Sequence, residues 1–396
     1  MPTTVLIAFD KFKDALTAEA ACAIAAAALP AELPYVLRPL TDGGEGFVTA
    51  LLNALGGRVR HQTVTGPLGD PVTANWGSIG WSALPEAARE MLDLPNSVAF
   101  TPSARIAFVE AASTCGLMQV PAERRNPAET SSTGLGQILR HVTEADIVAI
   151  VIGLGGSATN DLGLGALAEL GLTCHDSAGR PITPPVPQRW AAITELRGEI
   201  LPSLPPLRIA CDVTNPLHGP RGTSAVFGPQ KGLPRPLVQA ADHAMARLAG
   251  LLAARLNIKP SSFTAPPGAG AAGGIAAGLL ATGRAQLMPG FDFVSACLAL
   301  DEALDRCSIV LTGEGRFDAS SLEGKGPGSL VSLALARTKR VLVIAGAGDF
   351  ACLPPGVDSL ALSPPDLPLP QALAETAERL ERAVRLAFMP GANLPE

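Results

Sequence analysis

The stretch Ile147-Val148-Ala149-Ile150-Val151-Ile152-Gly153-Leu154-Gly155-Gly156-Ser157-Ala158-Thr159-Asn160-Asp161 decides the fold class. Its first six residues are apolar, mostly β-branched and show no alternation, which predicts a strand buried on both faces, as in a parallel sheet. The glycines, hydroxyls and carboxylate that follow predict a tight turn at the carboxyl end of that strand. The same order of features recurs at 5–9 before Asp10, at 309–312 before Gly313, and at 341–344, each followed by an Ala/Leu-rich helical pattern. Strands alternating with helices give parallel sheets joined by crossover helices.

Outward from these runs, Thr17 as an N-cap and Glu19 in the first turn predict a helix over 18–29. A weaker strand at 36–40 leads into Thr41-Asp42-Gly43-Gly44-Glu45-Gly46 and a helix through Leu55. Further helices are expected at 236–256 and 373–388, the second carrying Glu378 with Arg382 and Glu381 with Arg385 at i,i+4 spacing. Pro-rich segments at 183–206, 264–267 and 353–370 interrupt the pattern, and 77–103 lacks periodicity and reads as an excursion. Because the pattern of the first residues resumes near Ile309, the expected organisation is α/β in two domains. The first is discontinuous, 1–76 with 284–396, and 77–283 is inserted into it.

With 396 residues, 47% hydrophobic and 17% charged, the chain is too long for one small module and too apolar for disorder. A net charge of −6 and a lone Arg124-Arg125 pair argue against a nucleic-acid partner. The apolar run 5–9 is too short for a secretory signal, and no uncharged stretch has the apolar content of a membrane span. The seven cysteines form no C-x-x-C pair, so neither a disulfide framework nor a zinc site is expected, and a reducing cytoplasm is the natural compartment.

Candidate chemistry lies in polar Gly-rich loops at 10–13, 42–46, 153–161, 212–216, 227–232, 268–274 and 313–318. Glycine lets backbone N–H groups converge on an anion, and a helix start adds partial positive charge. Any one of these loops could simply turn the chain, but strand-end loops of α/β sheets are where ligands bind. Their acids and lysines match the needs of phosphoryl transfer: carboxylates for Mg²⁺, a carboxylate for the hydroxyl proton, and cations on the moving group. Spacing leaves open which acid does which. The G-x-x-x-x-G-K-[ST] loop, the H-R-D signature, zinc-ligand histidine pairs and the G-x-S-x-G elbow are all absent.

Read together, these segments resemble the bacterial glycerate kinases of the glycerate kinase I family, almost from end to end. The resemblance rests on Asp10-x-Phe12-Lys13-x-x-Leu16, Asp42-Gly43-Gly44-Glu45-Gly46, Thr65-Gly66-Pro67-Leu68-Gly69 and 152–161. It continues through Cys211-Asp212-Val213-Thr214-Asn215-Pro216-Leu217, Phe227-Gly228-Pro229-Gln230-Lys231-Gly232, 268–274, and Thr312-Gly313-Glu314-Gly315-Arg316-x-Asp318 with Gly324-Lys325. It implies two α/β domains, one Rossmann-like with a parallel sheet built from both chain ends and the other a mixed α/β insertion. It also implies transfer of the ATP γ-phosphoryl group to D-glycerate, at O2. The family pattern has Ser at Lys11, Gly at Leu162, and Gly-Thr-Gly-Glu at 134–137.

The site residues expected from the resemblance fall into three groups. Asp42, Glu45, Asp212 and Lys231 are the catalytic candidates. Substrate and nucleotide contacts are expected from Asp10, Lys13, Gly43, Gly44, Gly153, Gly155, Gly156, Ser157, Thr159, Asn160, Asn215, Gln230, Gly270, Gly273, Gly313, Arg316 and Lys325, and Mg²⁺ ligation from Asp161, Glu314 and Asp318. The loops are expected to meet across an interdomain cleft. ATP is the expected co-substrate, no membrane or nucleic-acid partner is expected, and a homo-oligomer is left open. Two alternatives stand beside this reading: a nicotinamide-dependent oxidoreductase, suggested by three G-x-G-x-x-[GA] matches with Asp366 as the only ribose-binding acid, and a nucleotide sensor without turnover.

Overall fold

The computed structural model describes residues 3–95, 101–143, 146–322, 324 and 326–389. They form two compact units, 1–42 with 294–396, and 43–293. In chain order the strands are β1 (Val5–Phe9), β2 (Tyr35–Leu37), β3 (Arg60–Thr65), β4 (Pro71–Gly80), β5 (Arg105–Glu110) and β6 (Ile147–Gly153). Next come β7 (Leu172–His175), β8 (Glu195–Gly198), β9 (Leu207–Ala210) and β10 (Ala285–Met288). The last are β11 (Ile309–Gly313), β12 (Arg316–Phe317), β13 (Arg340–Ala345), β14 (Ala347–Gly348) and β15 (Val357–Ala361).

In the first unit β15-β13-β11-β1-β2 make one sheet, every pair parallel. All five residues of β1 are buried, as its uninterrupted apolar run requires. The helix Ala18–Ala28 is N-capped by the Thr17 hydroxyl and lays Ala21, Cys22 and Ala25 into a core shared with Leu380, Ala383 and Val384 of the helix Thr376–Ala387. Pro30 ends the first helix at Ala28, one residue short of the expected bound, because the residue before a proline is pushed out of the helical region. The C-terminal pairs Glu378–Arg382 (3.0 Å) and Glu381–Arg385 (2.7 Å) form as the spacing predicts. Strand order turns back at β1, since β2 lies on one side of it and β11 on the other. Such a reversal opens a crevice at the carboxyl ends of the strands.

The second unit holds the order β10-β9-β6-β5-β4-β3. The first four are mutually parallel, and β4 and β3 form an antiparallel hairpin on the edge. This pairing moves the expected boundaries: 43–76 belongs with the second unit because β3 and β4 are bonded into its sheet, and 284–293 because β10 pairs with β9. The supposed excursion at 77–103 contains the end of β4 and a helix, Glu86–Met91, while 96–100 lie outside the described residues. One core joins the sheet to the helix Thr133–Val142, and a second packs the helix Val238–Leu256 against β7, β8 and the helix Leu164–Glu169. Among the described residues no helix is long and apolar enough to cross a membrane.

Leu162, where the family pattern has glycine, sits at φ +56° in the left-handed region, and its side chain is fully buried in the core under Val238–Leu256. The backbone strain costs about 1–2 kcal/mol. Truncating a buried leucine costs about 2–5 kcal/mol, so packing outweighs strain. Leu162→Gly should therefore lower stability in urea denaturation by roughly 1–3 kcal/mol, and a variant as stable as the parent would reverse that ranking.

Candidate active site

In the first unit, Asp10 follows β1, Asp42 follows β2 and Glu314 follows β11, so all three carboxylates stand at the crevice where strand order reverses. The Asp10 amide donates to the Gly313 carbonyl (2.9 Å), extending the β1–β11 ladder into the loops. Lys11 bridges the acids: its Nζ donates to Asp42 Oδ1 at 2.9 Å and lies 3.7 Å from Asp10 Oδ1, which also accepts the Lys11 amide at 2.6 Å. Burial, and then the nearby Asp42 charge, push the Asp10 carboxyl up to about 7, against the pull of Lys11. Lys11 was not among the expected site residues, and serine at this position in the family pattern hid it.

Gly313 has no room for a side chain, as a Cβ there would stand 1.7 Å from the Ile344 carbonyl. Asp318, expected on metal, accepts the Ser320 amide (2.9 Å) and hydroxyl (2.7 Å), so it folds the short turn Ala319–Leu322, with Arg316 Nε 3.5 Å away. Arg316 and Lys13 are exposed, and Lys325 lies outside the described residues.

In the second unit two glycine turns meet backbone to backbone. The Gly155 amide donates to the Gly43 carbonyl at 3.0 Å. A Cβ on Gly153 would stand 2.5 Å from Gly43 O and 2.8 Å from the Phe47 ring, and one on Gly155 would stand 2.7 Å from Gly44 Cα. Gly156 is exposed and Gly155 half-buried, while Ser157, Thr159, Asn160 and Asp161 are buried. What the loop offers a ligand is therefore its glycine backbone, and the Ser157 hydroxyl and Asn160 amide brace it from beneath through Lys231 and Ser224.

Lys231 is one of those braces. It is buried, donates from Nζ to Ser157 Oγ (2.9 Å) and to the Thr159 carbonyl (2.6 Å), and burial lowers it to about 8. Asp161, expected as a metal ligand, is fully buried and spent on the fold. Its carboxylate accepts from Ser132 N (2.8 Å), Ser132 Oγ (2.7 Å), Gly163 N (3.1 Å) and Gly165 N (3.4 Å), bonds that tie segments of backbone together. Burial raises it, and those bonds oppose the rise. Asp212 caps the helix Gly290–Cys297 through the Gly290 and Phe291 amides (2.8 and 3.0 Å).

Other loops close around these. The Gly270 amide donates to the Asn215 carbonyl (2.9 Å), the Asn215 side chain holds the Arg221 carbonyl (2.9 Å), and a Cβ on Gly273 would meet Thr159 O at 1.9 Å. Glu45 and Gln230 are exposed. The sequence reading missed Glu110, a buried acid ending β5 beside Gly153. The apolar run 106–109 closing on an acid was the available signal, the same one that marks 5–9 and Asp10.

The structure thus gathers Asp10, Asp42 and Glu314 in one unit, and Gly43, Gly44, Gly153, Gly155, Gly156, Lys231, Asn215 and Gly273 in the other, dividing the Asp42–Gly46 motif between them. Strand-end glycine turns together with clustered carboxylates suit a phosphorylated ligand and a divalent cation. Comparison with known proteins agrees. The chain is 37% identical to glycerate 2-kinase of Escherichia coli (strain K12) over 352 residues, covering 87% of this chain and 85% of that one. It is 34% identical to glycerate kinase of Bacillus subtilis (strain 168) over 394 residues, 96% of each. A crystal structure assigned to glycerate kinase 2 of Salmonella typhimurium LT2 superposes with a TM-score of 0.73 at 34% identity, covering 98% of both chains. None of these relatives supports the oxidoreductase or the sensor. The model of the glycerate kinase family matches residues 5–389, and the chain belongs to that family.

Proposed function

We propose that this chain is an ATP-dependent glycerate kinase that phosphorylates D-glycerate at O2. Phosphorylation of glycerate at the expense of ATP follows from membership of the family and from relatives of 34–37% identity that carry the activity in their names. The regiochemistry rests on the Escherichia coli relative, a glycerate 2-kinase. The carrying observation in the molecule is the pair of glycine turns Gly43–Gly46 and Gly153–Gly156, packed backbone to backbone with Gly156 exposed, so that main chain rather than side chain is what the turn presents to an anion.

Among the described residues no three or more His, Cys, Asp or Glu form a group able to hold a metal ion. Mg²⁺ in kinases is held by one or two carboxylates together with the substrate phosphates. The carboxylates of Asp10, Asp42 and Glu314 fit that demand: burial and then the Asp42 charge raise Asp10, and the oxygen donors suit a hard cation. When bound, Mg²⁺ offsets the charge on the transferring phosphoryl group. Asp10 in its ionised form is an acceptor for the attacking hydroxyl's proton or a ligand to the cation, and protonation removes either role. Lys231 holds the Gly153–Gly156 turn in shape from below and adds positive potential there. The seven cysteines are free thiols, which suits a reducing compartment such as the cytoplasm.

Phosphorus NMR of a reaction with ATP, Mg²⁺ and D-glycerate should show 2-phosphoglycerate, and EDTA should abolish turnover. Formation of 3-phosphoglycerate would overturn the O2 assignment, and turnover without a divalent metal would remove the carboxylates from that role. Lys231→Met should lower kcat by about 100-fold or more at an unchanged circular dichroism spectrum, whereas a rate within twofold of the parent would show the brace to be dispensable. The acid group is active when ionised and the lysine when protonated, so kcat/KM should rise through pH about 7 and fall above about 8. Asp10→Asn should remove the acid limb, and an unchanged limb in that variant would assign it elsewhere.

A further inference from the structure

Glu110 ends β5 and is paired in register with Gly153, the first residue of the outward-facing turn. Its side chain is buried, and its Oε2 accepts the amide of Val48 at 3.0 Å, in the first turn of the helix Phe47–Ala54. That helix starts at Gly46 in the left-handed region, has no side-chain cap of its own, and closes the Gly43–Gly46 turn. The Ala111 amide next to Glu110 donates to the Gly153 carbonyl at 2.8 Å. One residue pair, Glu110 and Ala111, is therefore bonded to the Gly153 turn through the backbone and, through a side chain, to the helix that directly follows the Gly43–Gly46 turn.

The groups facing the carboxyl are the Ser113 and Asn75 side chains and the Val48 amide, with the exposed Glu45 as the nearby charge. No cation is among them, and burial raises the carboxyl to about 7. An ionised glutamate here gains no ion pair, so what the site uses is the oxygen acceptor.

Resting on the kinase reading, we propose that Glu110 is a positioning residue: through its bond to the Val48 amide it sets the Gly43–Gly46 turn against the Gly153–Gly156 turn, and it does so as a hydrogen-bond acceptor rather than as a charge. The two kinds of substitution separate these functions. Glu110→Gln keeps an acceptor of the same reach, while Glu110→Ala and Glu110→Leu remove it, the second with its volume largely retained.

The test combines steady-state kinetics with amide hydrogen exchange of the 43–54 segment. The set comprises the parent, the three variants and Ile106→Ala, a fully buried core truncation on the same strand. Glu110→Gln should stay within threefold of the parent in kcat/KM and keep its pH profile. Glu110→Leu, or Glu110→Ala if it folds, should lose at least 30-fold in kcat/KM and exchange the 43–54 amides at least tenfold faster. Ile106→Ala should lower the melting temperature without either change. Leu and Ala variants within threefold of the parent in both readouts would overturn the proposal, as would a Gln variant as impaired as they are. If the parent itself fails to phosphorylate glycerate, the kinase reading falls, and the exchange readout alone still decides whether Glu110 sets the turn.

Discussion

The contact on which the second unit's site depends is a van der Waals approach with no side chain in it: the Gly43–Gly44 backbone lies directly on Gly153 and Gly155. Close approach lets the Gly155 amide reach the Gly43 carbonyl, and it lets Phe47 pack on the floor of the turn. A Cβ on Gly153 or Gly155 would fall inside van der Waals distance of backbone or ring atoms, which cannot swing away as a flexible side chain could. The buried hydroxyls and amide of 157–160, the clamp of Asp161 and the ammonium of Lys231 all keep this loop thin and rigid so that only backbone faces out.

The first unit solves a different problem with different means. Its strand-end loops carry carboxylates in a parallel sheet whose order reverses at β1, and burial with a neighbouring acid drives Asp10 toward protonation at neutral pH. Lys11 relieves part of that repulsion, yet it is partly exposed and its pair with Asp42 is a surface pair worth at most about 1 kcal/mol. Oxygen donors of this kind, set at the carboxyl ends of neighbouring strands, are what a hard divalent cation takes as ligands.

Much of this was legible in the sequence, and the parts that were not share a cause. Strands β1, β6, β11 and β13 are buried on both faces and so advertise themselves as apolar runs. Strand β3 reads Arg60-His61-Gln62-Thr63-Val64-Thr65 with one face in water, and as half of an edge hairpin it needs little apolar content, so nothing marked its pairing with the sheet or the true domain boundary. Motif residues were found because glycine, acid and lysine are conspicuous beside one another. Whether an acid serves a ligand or its own loop depends on which donors the fold turns toward it, which residue type does not encode: Asp161 and Asp10 look alike in sequence and are both buried, yet Asp161 is clamped by Ser132, Gly163 and Gly165 while Asp10 stands at a crevice. Leu162 shows the reverse, a bulky residue holding a backbone conformation its type disfavours because the core repays it.

The sheet of the first unit draws β1 and β2 from the first 42 residues and β11, β13 and β15 from the last third of the chain, with Val5 paired directly to Ile309. Closing a loop of that span costs only about 5 kcal/mol in chain entropy, a modest thermodynamic burden but a strict ordering in time. As the chain leaves the ribosome, the fully apolar β1 emerges first and has no β11 to pair with until some 300 residues later. The contiguous 43–293 segment is free to fold in the interval. Synthesis therefore imposes a waiting period on a strand whose five residues all end up buried, during which its apolar surface has its own helix Ala18–Ala28, β2 or a chaperone to cover it.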